Sequence, residues 1–242
     1  MNRKTFITTS LGLLSATTWS KTKLKEKYTS DQLIGKESLK LYSQKAPLLT
    51  IAGIAFEKMQ KAALKDGVKL KIISAYRSYD QQKNIWNRKF LKNKMAGLDS
   101  EDNIKKIIEY STLPGTSRHH WGTDIDLIDG SKPQEGDVLI SEKFHQNGPY
   151  VVLRKWMDQH AVNYGFIRPY TKNIERKGFY YEPWHYSYAP IAIPMLKAYS
   201  KLDLKKTLAT TNLEGSASMS KQFLRKYFTE NILGIANELK DF

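Results

Sequence analysis

The chain contains no cysteine. That excludes thiolate metal ligands, disulfide staples, a cysteine nucleophile and a lipidated N-terminal cysteine. It does not select a compartment, because many exported bacterial proteins of this size need no disulfide. No segment reaches the roughly 18 consecutive apolar residues that a membrane-spanning helix needs, so the body of the chain is expected to be soluble, without a transmembrane anchor. Acidic residues are scarce beside basic ones: 24 Asp and Glu face 39 Lys and Arg, for a formal net charge of +15. Such an excess favours anionic partners. The bases are scattered lysines with small clusters at 21–25 and 201–206, and nothing resembles a recognition helix, an RNP segment or a zinc finger. Nucleic-acid binding is therefore not expected, and an anionic cell wall is the partner that suits this surface.

The first twenty residues read as a leader. Arg3 and Lys4 precede Phe6 and the weakly apolar run 7–16, and small residues follow at Thr17, Thr18 and Ser20. A basic start, a short apolar stretch and small residues form a signal-peptide pattern, here with a loose twin-arginine flavour in Arg3-Lys4-Thr5-Phe6. Export to the periplasm or cell envelope is the expectation. Residues 21–30 then read as a linker, 31–190 as the main domain and 191–242 as a helical extension packed on it.

Periodicity supplies the elements. Residues 51–66 repeat apolar side chains at helical spacing and stop at Asp66-Gly67. The stretch 68–75 reads as a strand, 79–95 as a helix with Ile85, Trp86 and Phe90 on one face, and Ser100 as the cap of a helix running to about Tyr110. Beyond Gly122, the strand 123–128 places Asp124 and Asp126 on one face and Ile125 and Leu127 on the other. A helix is expected over 151–164, strands over 166–168 and 178–188 (the latter broken by Pro183), and helices near 196–208 and 221–239. The layout predicts an α+β fold with helices packed on a small, mainly antiparallel sheet.

Two short stretches carry the chemistry: Ser117-Arg118-His119-His120-Trp121-Gly122-Thr123-Asp124-Ile125-Asp126 and Glu182-Pro183-Trp184-His185. They supply two imidazoles and a carboxylate for a metal, and a further carboxylate suited to be a base. Hydrolytic zinc sites take three protein ligands and keep one position open for water. Pro183 argues against a helical H-E-x-x-H arrangement, so Glu182 is expected in a bend leading into the strand that holds His185.

These residues also carry a resemblance. The pattern S-x-H-x-x-G-x-x-x-D followed by E-x-x-H is similar to that of the VanY-type D-alanyl-D-alanine carboxypeptidases, within a wider group that includes the hedgehog N-terminal domain and lysostaphin-type peptidases. A third block, Ser74-Ala75-Tyr76-Arg77-Ser78-Tyr79-Asp80-Gln81-Gln82, resembles that family's S-G-Y-R-S-x-x-x-Q segment. The resemblance runs through residues 30–190 in order. It implies a hedgehog/D-Ala-D-Ala peptidase-like fold, Zn2+ held by His119, Asp126 and His185, and Glu182 as catalytic base. It further implies Arg77, Gln82 and Ser117 as substrate contacts and peptidoglycan stem peptides as substrates. Ala75 stands where the family has glycine, and Asp124 where it has alanine. Asp124 would add negative charge near the metal or replace Asp126 as ligand, and its replacement by Ala is expected to be tolerated.

Other histidines read differently. His160 sits on an apolar helical stripe as a core residue, His145 lies in a loop, and His120 points elsewhere as a supporting or substrate-contact residue. Tyr170 either closes the pocket over the substrate or is a packed aromatic. Arg77 suits a carboxypeptidase, since a guanidinium grips a terminal carboxylate through two parallel hydrogen bonds. The competing readings are an L,D-carboxypeptidase or wall endopeptidase with the same zinc site, and a non-catalytic wall- or partner-binding domain. The presence of Glu182 argues against the last.

Overall fold

A computed structural model of the protein describes residues 28–203 and 213–240. The leader reading of residues 1–20 and most of the 21–30 linker lie outside the described residues. In chain order the elements are α1 (Ser30–Leu33), α2 (Thr50–Lys65), β1 (Leu70–Ser74), α3 (Tyr79–Met95), α4 (Ser100–Ile107) and β2 (Asp124–Asp129). They continue with α5 (Val151–His160), β3 (Phe166–Ile167), β4 (His185–Tyr188), α6 (Ala189–Tyr199) and α7 (Lys221–Tyr227). The four strands form one antiparallel sheet in the order β1-β2-β4-β3.

Local chemistry sets the boundaries. Helix α3 starts with a capping box: the Ser78 hydroxyl accepts from the Gln81 backbone N–H, and the Gln81 side chain accepts from the Ser78 N–H. Helix α4 is capped one residue earlier than expected, because the Asp99 carboxylate accepts from the Asp102 N–H. Gly122 takes φ +64°, the left-handed conformation that reverses the chain between the 118–121 turn and β2.

Two hydrophobic clusters flank the sheet. The first joins Phe56 and Met59 of α2, Ile125 and Leu127 of β2, Trp156 of α5, and Phe166 and Tyr186 from the far strands. The second joins Trp86 and Phe90 of α3, Ile104 of α4, Met195 and Tyr199 of α6, and Tyr227 of α7. With Ile125 and Leu127 in the first cluster, the two-residue strand period turns Asp124 and Asp126 to the opposite face. Among the described residues, no helix is long and apolar enough to cross a membrane.

Several expected elements differ. The strand expected over 178–188 shrinks to His185–Tyr188. The Tyr180 N–H instead donates to Glu109 O, and Glu182 N–H to Tyr170 O. Helix α6 begins at Ala189 rather than near 196, because Pro190 sits in its first turn, where a missing N–H costs nothing. The helix expected over 221–239 breaks after Tyr227 into a wide turn at Phe228–Ile232 and a short 3-10 turn at Asn237–Leu239. His160 is only half-buried, its ring 4.9 Å from that of Trp156 at the rim of the first cluster instead of inside it.

The C-terminal segment reaches back to the centre of the molecule. The Leu113 N–H donates to the Tyr227 hydroxyl at 3.0 Å, and that hydroxyl also bonds Thr116 Oγ1 at 2.9 Å. Tyr227→Phe would strand the buried Leu113 N–H, at a cost of about 1–3 kcal/mol. The expected result is a lower urea midpoint at constant m-value; an unchanged midpoint would mean that this contact does not tie the segment down.

Candidate active site

The sheet register builds the site. Asp126 of β2 faces Ser74 of β1 on one side and His185 of β4 on the other, while Asp124 faces Ser187. His119 arrives from the 3-10 turn Arg118–Trp121, just before the Gly122 reversal. Residues far apart in the chain therefore converge without a helical motif. Glu182 lies in the bend before β4, as its Pro183 neighbour suggested, with the His185 N–H donating to Glu182 O at 3.3 Å.

The three expected ligands come together. Ligand atoms of His119, Asp126 and His185 lie within 4.8 Å of one another, and all three residues are buried. The closest approaches are 3.4 Å from His119 Nε2 to Asp126 Oδ2 and 3.6 Å from His185 Nδ1 to Asp126 Oδ1. Atoms about 2.0–2.2 Å from a tetrahedral ion sit roughly 3.3–3.6 Å apart, so these spacings suit one ion. The hydrogen bonds agree. His119 Nδ1 donates to the Ala75 carbonyl at 2.8 Å, which leaves the Nε2 lone pair free. Asp126 Oδ1 is buried with no hydrogen-bond partner. A buried carboxylate oxygen left unpaired costs free energy unless something binds it. Two imidazoles and a carboxylate form a donor set that zinc accepts, and the residues therefore fit the ion.

Charges around the site are strongly coupled. Burial, with Arg77 and His185 nearby, holds the His119 imidazole well below its ordinary range. Burial pushes the Asp126 carboxyl up to about 6 against the pull of His185. For His185 burial acts downward, yet hydrogen bonds to Asp124 and Glu182 push it up to about 10. Its ring bridges the two carboxylates, with Nδ1 2.8 Å from Glu182 Oε2 and Nε2 2.9 Å from Asp124 Oδ1.

These groups line a cleft of about 520 Å³ that also exposes Arg77, Ser117, Tyr170, Lys89 and Trp184. Arg77 is held from behind: its guanidinium donates to Gln82 Oε1 at 2.6 Å and to Ser74 Oγ at 2.8 Å. Ser117 Oγ is buried without a protein partner, so a hydroxyl is left for a ligand. Tyr170 lines the cleft and packs edge-on against His185 at 5.0 Å.

One expectation changes. Gln82 is fully buried and absent from the cleft wall, where it accepts from Arg77 and donates to the Thr112 carbonyl at 2.8 Å. It therefore steadies Arg77 instead of touching a substrate. His120 points away from the cleft, in the supporting place that was one of its two readings. Its Nδ1 donates to the Arg77 carbonyl at 2.6 Å and its Nε2 accepts from the Gly115 N–H, with burial holding it neutral at about 4. Sequence reasoning missed Lys89, which lies one helical turn beyond Ile85 on the cleft side of α3.

Fold and cleft can be set beside known proteins. The family described as VanY, D-alanyl-D-alanine carboxypeptidase, matches residues 47–191, and the chain belongs to it. YodJ of Bacillus subtilis (strain 168) is 35% identical over 146 residues, 60% of this chain and 47% of its own. A D-alanyl-D-alanine carboxypeptidase of Enterococcus faecalis (strain ATCC 700802 / V583) is 30% identical over 131 residues, 54% of this chain and 44% of its own. The chain thus spans about half the length of these curated relatives. Among solved structures, a mutant of the vancomycin-resistance D,D-pentapeptidase VanY in complex with Zn(II) aligns with a TM-score of 0.51 and 26% identity. That alignment covers 71% of this chain and 89% of the other.

Proposed function

We propose that this chain is an exported zinc-dependent D,D-carboxypeptidase, removing the terminal D-alanine from peptidoglycan stem peptides. On this reading residues 31–190 form the zinc peptidase domain and 191–242 its helical extension. The observation that carries the proposal is the convergence of His119, Asp126 and His185 at the floor of a cleft that also holds Glu182 and Arg77. His119 Nε2, an Asp126 oxygen and His185 Nδ1 would hold the ion. Zinc bound there would acidify a water and polarise the scissile carbonyl.

The chain's own residues do the rest. Glu182, beside His185 and open to the cleft, takes a proton from the attacking water and returns it to the departing amine. Its Oε2 is also the acceptor in place when the Nδ1 proton of His185 must leave to make room for the ion. The Arg77 guanidinium, with Ser117 Oγ, receives the terminal carboxylate of the peptide. Burial of the surrounding groups keeps these interactions strong by excluding water. The basic surface favours residence at an anionic wall.

Arg77 separates this reading from the endopeptidase one. Arg77→Ala is expected to weaken processing of peptides with a free C-terminal carboxylate by about 2–5 kcal/mol in transition-state terms. C-terminally amidated peptides should be poor substrates for the wild type and suffer little further loss. Steady-state kinetics on both peptides with both proteins checks this. Equal losses on acid and amide would make Arg77 a structural residue and put the endopeptidase reading ahead.

A further inference from the structure

Behind His185 lies a buried polar ring centred on Asp124. Asp124 is fully buried, and its two oxygens take four partners. Oδ1 faces Arg118 Nε and His185 Nε2, each at 2.9 Å. Oδ2 accepts from Thr123 Oγ1 at 2.6 Å and from Ser187 Oγ at 2.9 Å. Arg118 Nη2 also donates to Ser187 Oγ at 2.6 Å, which closes the ring. Asp124 is absent from the His119, Asp126 and His185 ligand group, and its oxygens are already engaged. It is therefore no substitute ligand.

We propose that Asp124, fixed by Arg118, Thr123 and Ser187, is a positioning residue that sets the tautomer and ring orientation of His185 so that Nδ1 faces the ion. The proposal rests on the zinc reading given above. A neutral imidazole carries one proton, and the partner of one nitrogen decides which nitrogen keeps the lone pair. Asp124 accepts only and holds the hydrogen on Nε2, so it is the Nδ1 hydrogen, facing Glu182 Oε2, that gives way and leaves Nδ1 to bind. A carboxylate in that place also raises the basicity of a histidine ligand. His119 receives a weaker version from the Ala75 carbonyl. Arg118 makes the arrangement tolerable, since an unpaired carboxylate this deep would be expelled or protonated. The register makes it accurate: Asp124 pairs with Ser187 as Asp126 pairs with His185, so both strands present the ligands and their support on one face. On this proposal Asp124→Ala is expected to weaken zinc binding instead of being tolerated.

Removing one charge of the pair strands the other, so the main test removes both: Arg118→Met with Asp124→Ala, beside Asp124→Asn, which keeps an acceptor for the Nε2 hydrogen. Three quantities are measured: the melting temperature of the metal-free protein, the zinc dissociation constant by chelator competition, and the downfield proton resonance of His185 Nε2–H in the zinc-loaded protein. The paired variant is expected to bind zinc about 10–100-fold more weakly and to lose the resonance. Asp124→Asn is expected to keep the resonance, shifted upfield, and to recover part of the affinity. If the paired variant does not fold, Asp124→Asn decides, through zinc binding at least severalfold weaker than wild type. Variants that bind zinc as tightly as a zinc-binding wild type, with the resonance unmoved, overturn the proposal alone. A wild type that takes up no zinc overturns the zinc reading and this proposal together.

Discussion

Glu182→Gln is expected to lower turnover by at least about a hundredfold while leaving the fold and the metal in place, the usual scale for loss of an acid–base group. The amide is nearly isosteric and can still meet the His185 ring, whose Nδ1 lies 2.8 Å from Glu182 Oε2. It cannot take up a proton. The backbone at this position is held independently of the side chain, because the Glu182 N–H donates to the Tyr170 carbonyl at 3.1 Å. Single-turnover kinetics beside zinc analysis and circular dichroism checks the claim. Near-normal turnover would mean that another group moves the proton.

Asp126→Ala is expected to empty the metal site, with a loss of zinc affinity beyond the roughly 10–100-fold that outer partners of a ligand cost. Two imidazoles alone hold zinc poorly where three protein ligands are the norm. The sign of the stability effect is the diagnostic part. Asp126 is buried, with one oxygen lacking any hydrogen-bond partner and with Glu182 and Asp124 close enough to disfavour its charge. Its removal takes away a buried carboxylate whose burial outweighs the pull of His185, so the metal-free variant should melt at or above the metal-free wild type. A residue kept for the fold would do the reverse. Equilibrium dialysis with zinc and a melting curve of each apoprotein read both effects; stoichiometric zinc in the variant would remove Asp126 from the ligand set.

Much of this arrangement was legible from local sequence. Helix α3 announced itself through its apolar face, and Gly122 marked the reversal that brings His119 to Asp126. The alternation of β2 assigned Asp124 and Asp126 to one face before any partner strand was known. What was not legible depended on long-range pairing. The aromatic segment before His185 has the composition of a strand, yet its N–H groups find Glu109 and Tyr170 instead of a neighbouring strand. The resemblance implies Gln82 as a substrate contact, and the sequence leaves His120 open between a supporting and a substrate-contact place. Their rotation behind Arg77 follows from helix α3 and the 118–121 turn, whose orientations only packing sets. The role of Asp124 needed β4 alongside, since Ser187 and His185 are distant in sequence and adjacent in register.

The most direct test of the account is a zinc titration of metal-stripped protein, with D-alanine release counted from a peptide ending in D-alanyl-D-alanine. The account predicts no release without metal, and activity that rises to a plateau at one zinc per chain, as a single His119, Asp126 and His185 group requires. Full activity in the metal-free protein, or a zinc-loaded protein that leaves the terminal D-alanine in place, would contradict it.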